Sequence, residues 1–183
     1  MPFAAQKGKL SQQAQVDSVR TEILRTLDVL KDHPVRKAEK RASCAIVIHC
    51  HTKDLKPIEK YSLDYSMAIL GPRDYFFTIP ESLDDAYYVS NFKNAAIVRF
   101  PDEHFTSRET HSLLYMSKML YKHFASTHEF MLILQTDAIV LRDELDYWCS
   151  QPWDYIGAPW PEPLFDQKLL LDRDCFSGSG NER

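Results

Sequence analysis

Over residues 16–30 the apolar positions are Val16, Val19, Ile23, Leu24, Leu27 and Leu30. Steps of three and four predict a helix with one buried stripe, ending near His33-Pro34 because proline disfavours helical backbone in the residue before it. The pattern then changes. Cys44–His49 is a short, continuous, β-branched run, as expected for a strand covered on both faces. A helical stretch follows over 57–70, with Gly71 suited to the position after the last turn and Pro72 preventing continuation. Residues 75–79 read as a second strand, 82–92 as a short helix capped by Ser82, and 95–100 as a third strand. Thr106 and Glu109 have the spacing of a capping box, opening a helix whose apolar face is Leu113, Met116, Leu120 and Phe124. Residues 130–134 form the most apolar strand of all.

Strands alternating with helices at this spacing predict βαβ units. The expected fold is α/β: a mostly parallel sheet flanked by helices, resembling a nucleotide-binding half domain and preceded by an N-terminal helix. In such sheets ligands sit beyond the carboxyl ends of the strands, where the strand order reverses. That directs the search to residues 49–51, 80–81, 101–103 and 135–137. Asp137 is the leading candidate, because a carboxylate directly after a buried strand lies where a hard divalent cation and a diphosphate would be held. Gln135, two residues earlier, projects to the same side of an extended chain and offers an amide to a ligand. The competing reading of Asp137 is a cap on the turn into a helical segment at 143–150, with Asp143 capping that helix. His49 and His51 share a side and have the residue type of transition-metal ligands, but the sequence identifies no third ligand, which favours a strand end near the pocket. Arg73 and Arg99 read as phosphate partners or, more commonly, as salt-bridge residues. Tyr61, Tyr65, Tyr87 and Tyr88 read as core or rim.

Composition narrows the class. The chain has 183 residues, the length of one domain, with 44% hydrophobic and 26% charged residues. A formal charge of -4 removes the global electrostatic reason to expect a nucleic-acid partner. Five glycines, none in a phosphate-loop pattern, exclude that route to phosphate binding. Cys44, Cys50, Cys149 and Cys175 form no C-x-x-C pair and are expected to be reduced thiols, mostly buried. Neither a secretory signal nor a membrane-spanning window is present, so the expected location is cytoplasmic. The basic run Arg36, Lys37, Lys40 and Arg41 reads as a solvated linker or helix continuation, or else as a patch for peripheral contact with an anionic membrane surface or for an acidic substrate. The expected division is 1–43, a helix and basic linker, and 44–183, the α/β domain.

Two motifs carry a resemblance. Gln135-Thr136-Asp137-Ala138 closes the last apolar strand, and Tyr155-Ile156-Gly157-Ala158-Pro159-Trp160 follows Trp153-Asp154. Together with the preceding helix bearing Tyr115 and Tyr121, they resemble an uncharacterised bacterial and fungal domain family, catalogued as a domain of unknown function and regarded as GT-A-like glycosyltransferases. The resemblance covers roughly residues 44–160 and is strongest from 106 onward.

The resemblance implies a hexosyltransferase-like enzyme that takes a nucleotide-diphosphate sugar as donor and passes the glycosyl group to an unidentified glycan, lipid or protein acceptor. Gln-Thr-Asp stands where better-known GT-A enzymes carry Asp-x-Asp, whose carboxylates bridge Mn²⁺ or Mg²⁺ to the donor diphosphate. Asp137 matches the last of these and is the implied metal ligand; Gln135 replaces the first, and a neutral amide contributes less to cation binding. Thr136 completes the motif. The loop after the first strand of GT-A proteins commonly contacts the nucleotide, which brings His49, His51 and Thr52 into the implied donor site. Gly157 permits close backbone approach, Ala158 adjoins it, and Trp160 is placed to stack on a sugar or base. No catalytic base is implied. The family continues past the second motif into an acceptor-side half, whereas this chain stops at Arg183, so it is expected to be incomplete at its C-terminus. The alternative function is accordingly a non-catalytic remnant or a module that binds carbohydrate or nucleotide.

Overall fold

The protein is described from a computed structural model over residues 11–157. Of these, residues up to 147 belong to one unit and residues 148–157 to a second. The first unit contains helix α1 (Gln12–Leu30), strand β1 (Cys44–His49), α2 (Pro57–Leu70), β2 (Asp74–Pro80), α3 (Ala86–Asn91), β3 (Ala95–Phe100), a 3₁₀ turn (Asp102–Phe105), α4 (Arg108–Tyr115), α5 (Lys118–Phe124) and β4 (Phe130–Ile133). Helix α6 (Leu145–Cys149) follows.

The four strands form one sheet in the order β3-β2-β1-β4, and every pairing is parallel. Side-chain alternation along the strands divides the core into two layers. Ile46, Ile48, Tyr75, Phe77 and Ile79 face Leu63 and Leu70 of α2 and Tyr88 of α3. Ala45, Val47, Val98 and Phe100 face Leu114 of α4 and Leu120 and Phe124 of α5. Burial on both sides is the reason β1 reads as an unbroken apolar run, and it is the expected α/β architecture with a parallel sheet between helices.

The helices form for local reasons. Ser11 caps α1 by accepting the Ala14 N–H at 3.2 Å. Pro57 opens α2, where the Glu59 carboxylate accepts the Lys56 N–H at 2.8 Å. Gly71 ends α2 at φ 68°, ψ -158°, a backbone region that a side chain makes costly, although open space surrounds the position where a Cβ would stand. Gly71→Ala is therefore expected to cost about 1 to 3 kcal/mol through backbone strain alone, read from urea unfolding midpoints with an unchanged m-value.

Two expectations change. The helix expected to open at Thr106 and Glu109 is two helices, and its capping box is Ser107 with Thr110: Ser107 Oγ accepts the Thr110 N–H at 3.3 Å, and Thr110 Oγ1 accepts the Ser107 N–H at 3.0 Å. Ser107 holds the extended backbone that a cap requires. A break at Met116 lets Ser117 start α5 by accepting the Leu120 N–H. That break shifts the helical phase, so Leu114 meets the sheet while Leu113 and Met116 are 58% and 72% exposed. Similarly, α3 begins at Ala86, not Ser82, because the turn at 81–85 is tied to Arg99: its guanidinium donates to the Pro80, Glu81 and Leu83 carbonyls and pairs with Asp85 at 2.7 Å.

Arg73 is likewise structural. Its side chain is only 4% exposed and forks between Asp143 and Asp146, with nitrogen–oxygen distances of 2.9 to 3.1 Å. In the basic run, the Arg36 guanidinium lies 5.4 Å over the Tyr147 ring, and Arg41 donates to the Pro72 carbonyl. Cys44 and Cys50 are buried and Cys149 is half-buried. No helix among the described residues is long and apolar enough to cross a membrane.

Candidate functional site at the carboxyl edge of the sheet

Sheet order 3-2-1-4 means that the chain runs outward from β1 through β2 to β3, then returns past β1 to lay down β4 on the other side. The strand order thus reverses between β1 and β4, and the crevice where ligands of open parallel sheets sit falls by this rule at the carboxyl ends of these two strands. Residues 49–52 leave β1 there, and residues 134–138 leave β4 there. Their pairing continues to Val47 opposite Ile133, and the Leu134 N–H still donates to the Val47 carbonyl at 2.9 Å. Beyond that bond the two segments separate.

The β4 exit is a tight turn. The Ala138 N–H donates to the Gln135 carbonyl at 3.1 Å, and the Val140 N–H donates to Ser66 Oγ of α2 at 3.0 Å. Leu134, Ala138 and Val140 pack into the α2 layer. With its apolar residues turned inward, the turn leaves Gln135 and Asp137 exposed and Thr136 half-buried. Asp137 thus presents a solvated carboxylate at the crevice instead of capping a helix.

The β1 exit is held on both sides of the sheet. Cys50 points into the α2 layer, and its N–H donates to the Thr78 carbonyl at 3.0 Å. Burial pushes the Cys50 thiol up to about 12, which removes it as a nucleophile at neutral pH. Tyr88, fully buried, donates its hydroxyl to the Thr52 carbonyl at 2.6 Å, and the Thr52 hydroxyl donates to the Asp54 carbonyl at 3.0 Å.

His49 points to the opposite layer. Its ring stacks on Phe105 at 4.7 Å and 9° and meets His111 edge-on at 5.0 Å, with Tyr115 at 5.1 Å. His49 Nδ1 bonds Thr78 Oγ1. Because the Thr78 hydroxyl donates to the Ile48 carbonyl at 3.4 Å, the imidazole is the donor in that pair and carries its proton on Nδ1. His49 Nε2 is left as a lone pair, and both it and His111 Nε2 are buried without a hydrogen-bond partner. Burial first, then the nearby imidazoles of His111, His51 and His104, push His49 down to about 3. Burial and His51 also lower His111. His51 itself is exposed, its ring 5.2 Å from that of His111.

Several of the residues expected at the donor site are therefore brought to one edge: His49, His51 and Thr52 from β1, and Gln135, Thr136 and Asp137 from β4. Gly157 is half-buried and belongs to the second unit, while Ala158 and Trp160 lie outside the described residues. Among the described residues no group of three or more His, Cys, Asp or Glu side chains is disposed to hold a metal ion. The donor set at the β4 exit, one carboxylate and one amide oxygen, fits a cation shared with a ligand's phosphates and not one held by protein alone. Thr78, Phe105, His111 and Tyr115 escape sequence reasoning because each stands 29 or more positions from His49; a histidine on the capped, amphipathic α4 is the one signal that points to them.

No curated protein and no solved structure matches the chain. Residues 94–181, a span that includes β3, α4, α5, β4 and the Gln135-Thr136-Asp137 turn, match the family described as "Protein of unknown function (DUF5672)", so over that span the chain is similar to a domain family of unknown function.

Proposed function

We propose that the crevice between the carboxyl ends of β1 and β4 binds a nucleotide-diphosphate sugar, and that the protein is a glycosyltransferase passing the sugar to an acceptor. The observation that carries this reading is the strand order, which sets the exposed Gln135 and Asp137 beside the β1 exit at a topological switch point. The resemblance of the two motifs to GT-A-like proteins supplies the reaction class.

In this reading Asp137 faces the donor diphosphate through Mn²⁺ or Mg²⁺, or accepts from a ribose hydroxyl, and Gln135 hydrogen-bonds the donor. A bound cation would offset charge on the departing nucleotide diphosphate. Thr52 and His51 line the rim. His49 positions the β1 exit, since its Nδ1 is committed to Thr78 and its Nε2 is shielded.

The test is calorimetric titration of UDP-, GDP- and CDP-linked sugars with and without Mn²⁺. Asp137→Ala is expected to weaken binding about tenfold or more, the effect of losing one charge-assisted contact. The side chain is exposed, so its thermal midpoint should stay within a degree or two of wild type. Unchanged affinity in the variant would remove Asp137 from the site. Binding without transfer to any acceptor would favour the non-catalytic, nucleotide-binding alternative.

A further inference from the structure

Three imidazoles meet at the β1 exit. His49 stands at the end of β1, His51 follows it and His111 lies on α4. The rings of His49, His51 and His111 are linked at 5.0 and 5.2 Å, and Phe105 closes the group by meeting His111 edge-on at 5.5 Å. Two ring nitrogens inside the group have neither water access nor a partner. An uncharged ring tolerates this, but an imidazolium there would be desolvated beside other imidazoles.

Among the described residues the surrounding elements offer no counter-ion. From β2 the group facing His49 is the Thr78 hydroxyl, which is not titratable in this range. From the 3₁₀ turn come Phe105 and His104; the acids of that turn lie elsewhere, Asp102 accepting the Ser82 N–H at 3.0 Å and Glu103 exposed. From α4 come His111 and Tyr115, the latter neutral with its phenol pushed up to about 12 by burial, whereas Glu109 is exposed and bonded to Ser107. From the β1 exit come the buried Cys50 thiol and His51.

We propose that His49 and His111, with the His51 ring against them, form a proton-operated latch, which holds residues 49–51 closed while the two inner rings are neutral and releases them in mild acid, lowering affinity at the β1/β4 crevice. The effect of release on affinity rests on the nucleotide-sugar site proposed above.

The sign follows from linkage. A histidine whose pKa is lowered by the closed state binds its proton better when open, so closure is fully favoured above the ordinary histidine value of about 6.5. It weakens as pH falls below that value, by up to about tenfold per pH unit for each such ring. His49 and His111 both shift in this direction.

The Cys50 amide, bonded to the Thr78 carbonyl, reports closure directly. Native-state hydrogen exchange at pH 7.5 and pH 5.5 is expected to show its protection factor falling about tenfold, while amides in the middle of β1 and β2 keep theirs. In His111→Phe, which retains an aromatic ring but no titrating group, that pH dependence should be at least halved on a logarithmic scale. Should His111→Phe not fold, His51→Gln at an exposed position is expected to reduce it as well. Equal Cys50 protection at both pH values in the wild type, or the same fall in the folded variants, overturns the latch.

A parallel titration of a UDP-sugar with Mn²⁺, a ligand with no group titrating between pH 5 and 8, separates the two layers. Affinity about tenfold lower at pH 5.5, restored in the variant, supports the whole proposal. No binding at either pH with Cys50 still switching sinks the nucleotide-sugar reading and leaves the latch. Affinity independent of pH while Cys50 switches overturns the regulatory half.

Discussion

Converting both Asp143 and Asp146 to asparagine should lower the unfolding free energy by about 3 to 5 kcal/mol, because it strands the Arg73 guanidinium, 4% exposed, without a counter-charge. Arg73→Met should cost less, about 2 kcal/mol, although it removes the guanidinium's bonds to both aspartates and to the Leu70 carbonyl as well. The two carboxylates are 35% and 26% exposed and recover hydration when the arginine is gone, while the arginine cannot recover it when they are gone. The asymmetry is what urea unfolding of the two variants checks; equal losses would mean that the pair contributes only its contacts. Arg73 also holds the Asp146 carboxyl below the usual carboxylate range. A depressed acid contributes stability above its unfolded value, near 3.9, and loses it as pH falls further. The asparagine variant should therefore lose less stability than wild type on acidification below pH 4.

Phe77→Ala is expected to cost about 3 to 5 kcal/mol, the range for emptying a fully buried aromatic site. The Phe77 ring lies 5.0 Å from that of Tyr88 and 4.8 Å from that of Phe92, both on or beside α3. Its removal leaves a cavity next to the residue whose hydroxyl holds Thr52. Phe77→Leu, which keeps most of the volume, should cost less than half as much. Thermal and urea unfolding of the two variants separate volume from aromatic contact: similar losses would show that ring geometry, not filled space, is what α3 requires.

The strands were the most legible part of the fold. Cys44–His49 and Ala95–Phe100 stand at the boundaries the sequence predicts, and for β1 the reason is burial on both faces, which leaves no polar position to blur its ends. The α4 to α5 region was misread because one apolar period runs through it, and nothing in that period shows that Ser117 restarts the helix out of phase. The Gln135-Thr136-Asp137 turn was legible as a strand exit, and parallel topology brings it beside residues 49–52. The imidazole cluster was not. His49 and His51 are visible as a pair, but what makes them unusual is contact with His111 and Phe105, residues tens of positions away that the 3₁₀ turn and α4 bring over the sheet. Spacing along the chain encodes periodicity and local caps; it does not encode which distant rings share a face.

Tyr88 gives the β1 exit a pivot. Its hydroxyl stays on the Thr52 carbonyl whatever the charge on the imidazoles, since no histidine takes part in that bond. Only three residues, 49 to 51, lie between the end of the sheet's buried core at Ile48 and this anchor. A loop so short has little conformational entropy to gain on opening and little to lose on closing. Its excursions fall in the range of loop motions, about nanoseconds to microseconds, far faster than a ligand leaves a site of ordinary affinity. The crevice would therefore be sampled by an incoming ligand as an average over open and closed forms, and kinetic measurements at intermediate pH should show one association phase instead of two.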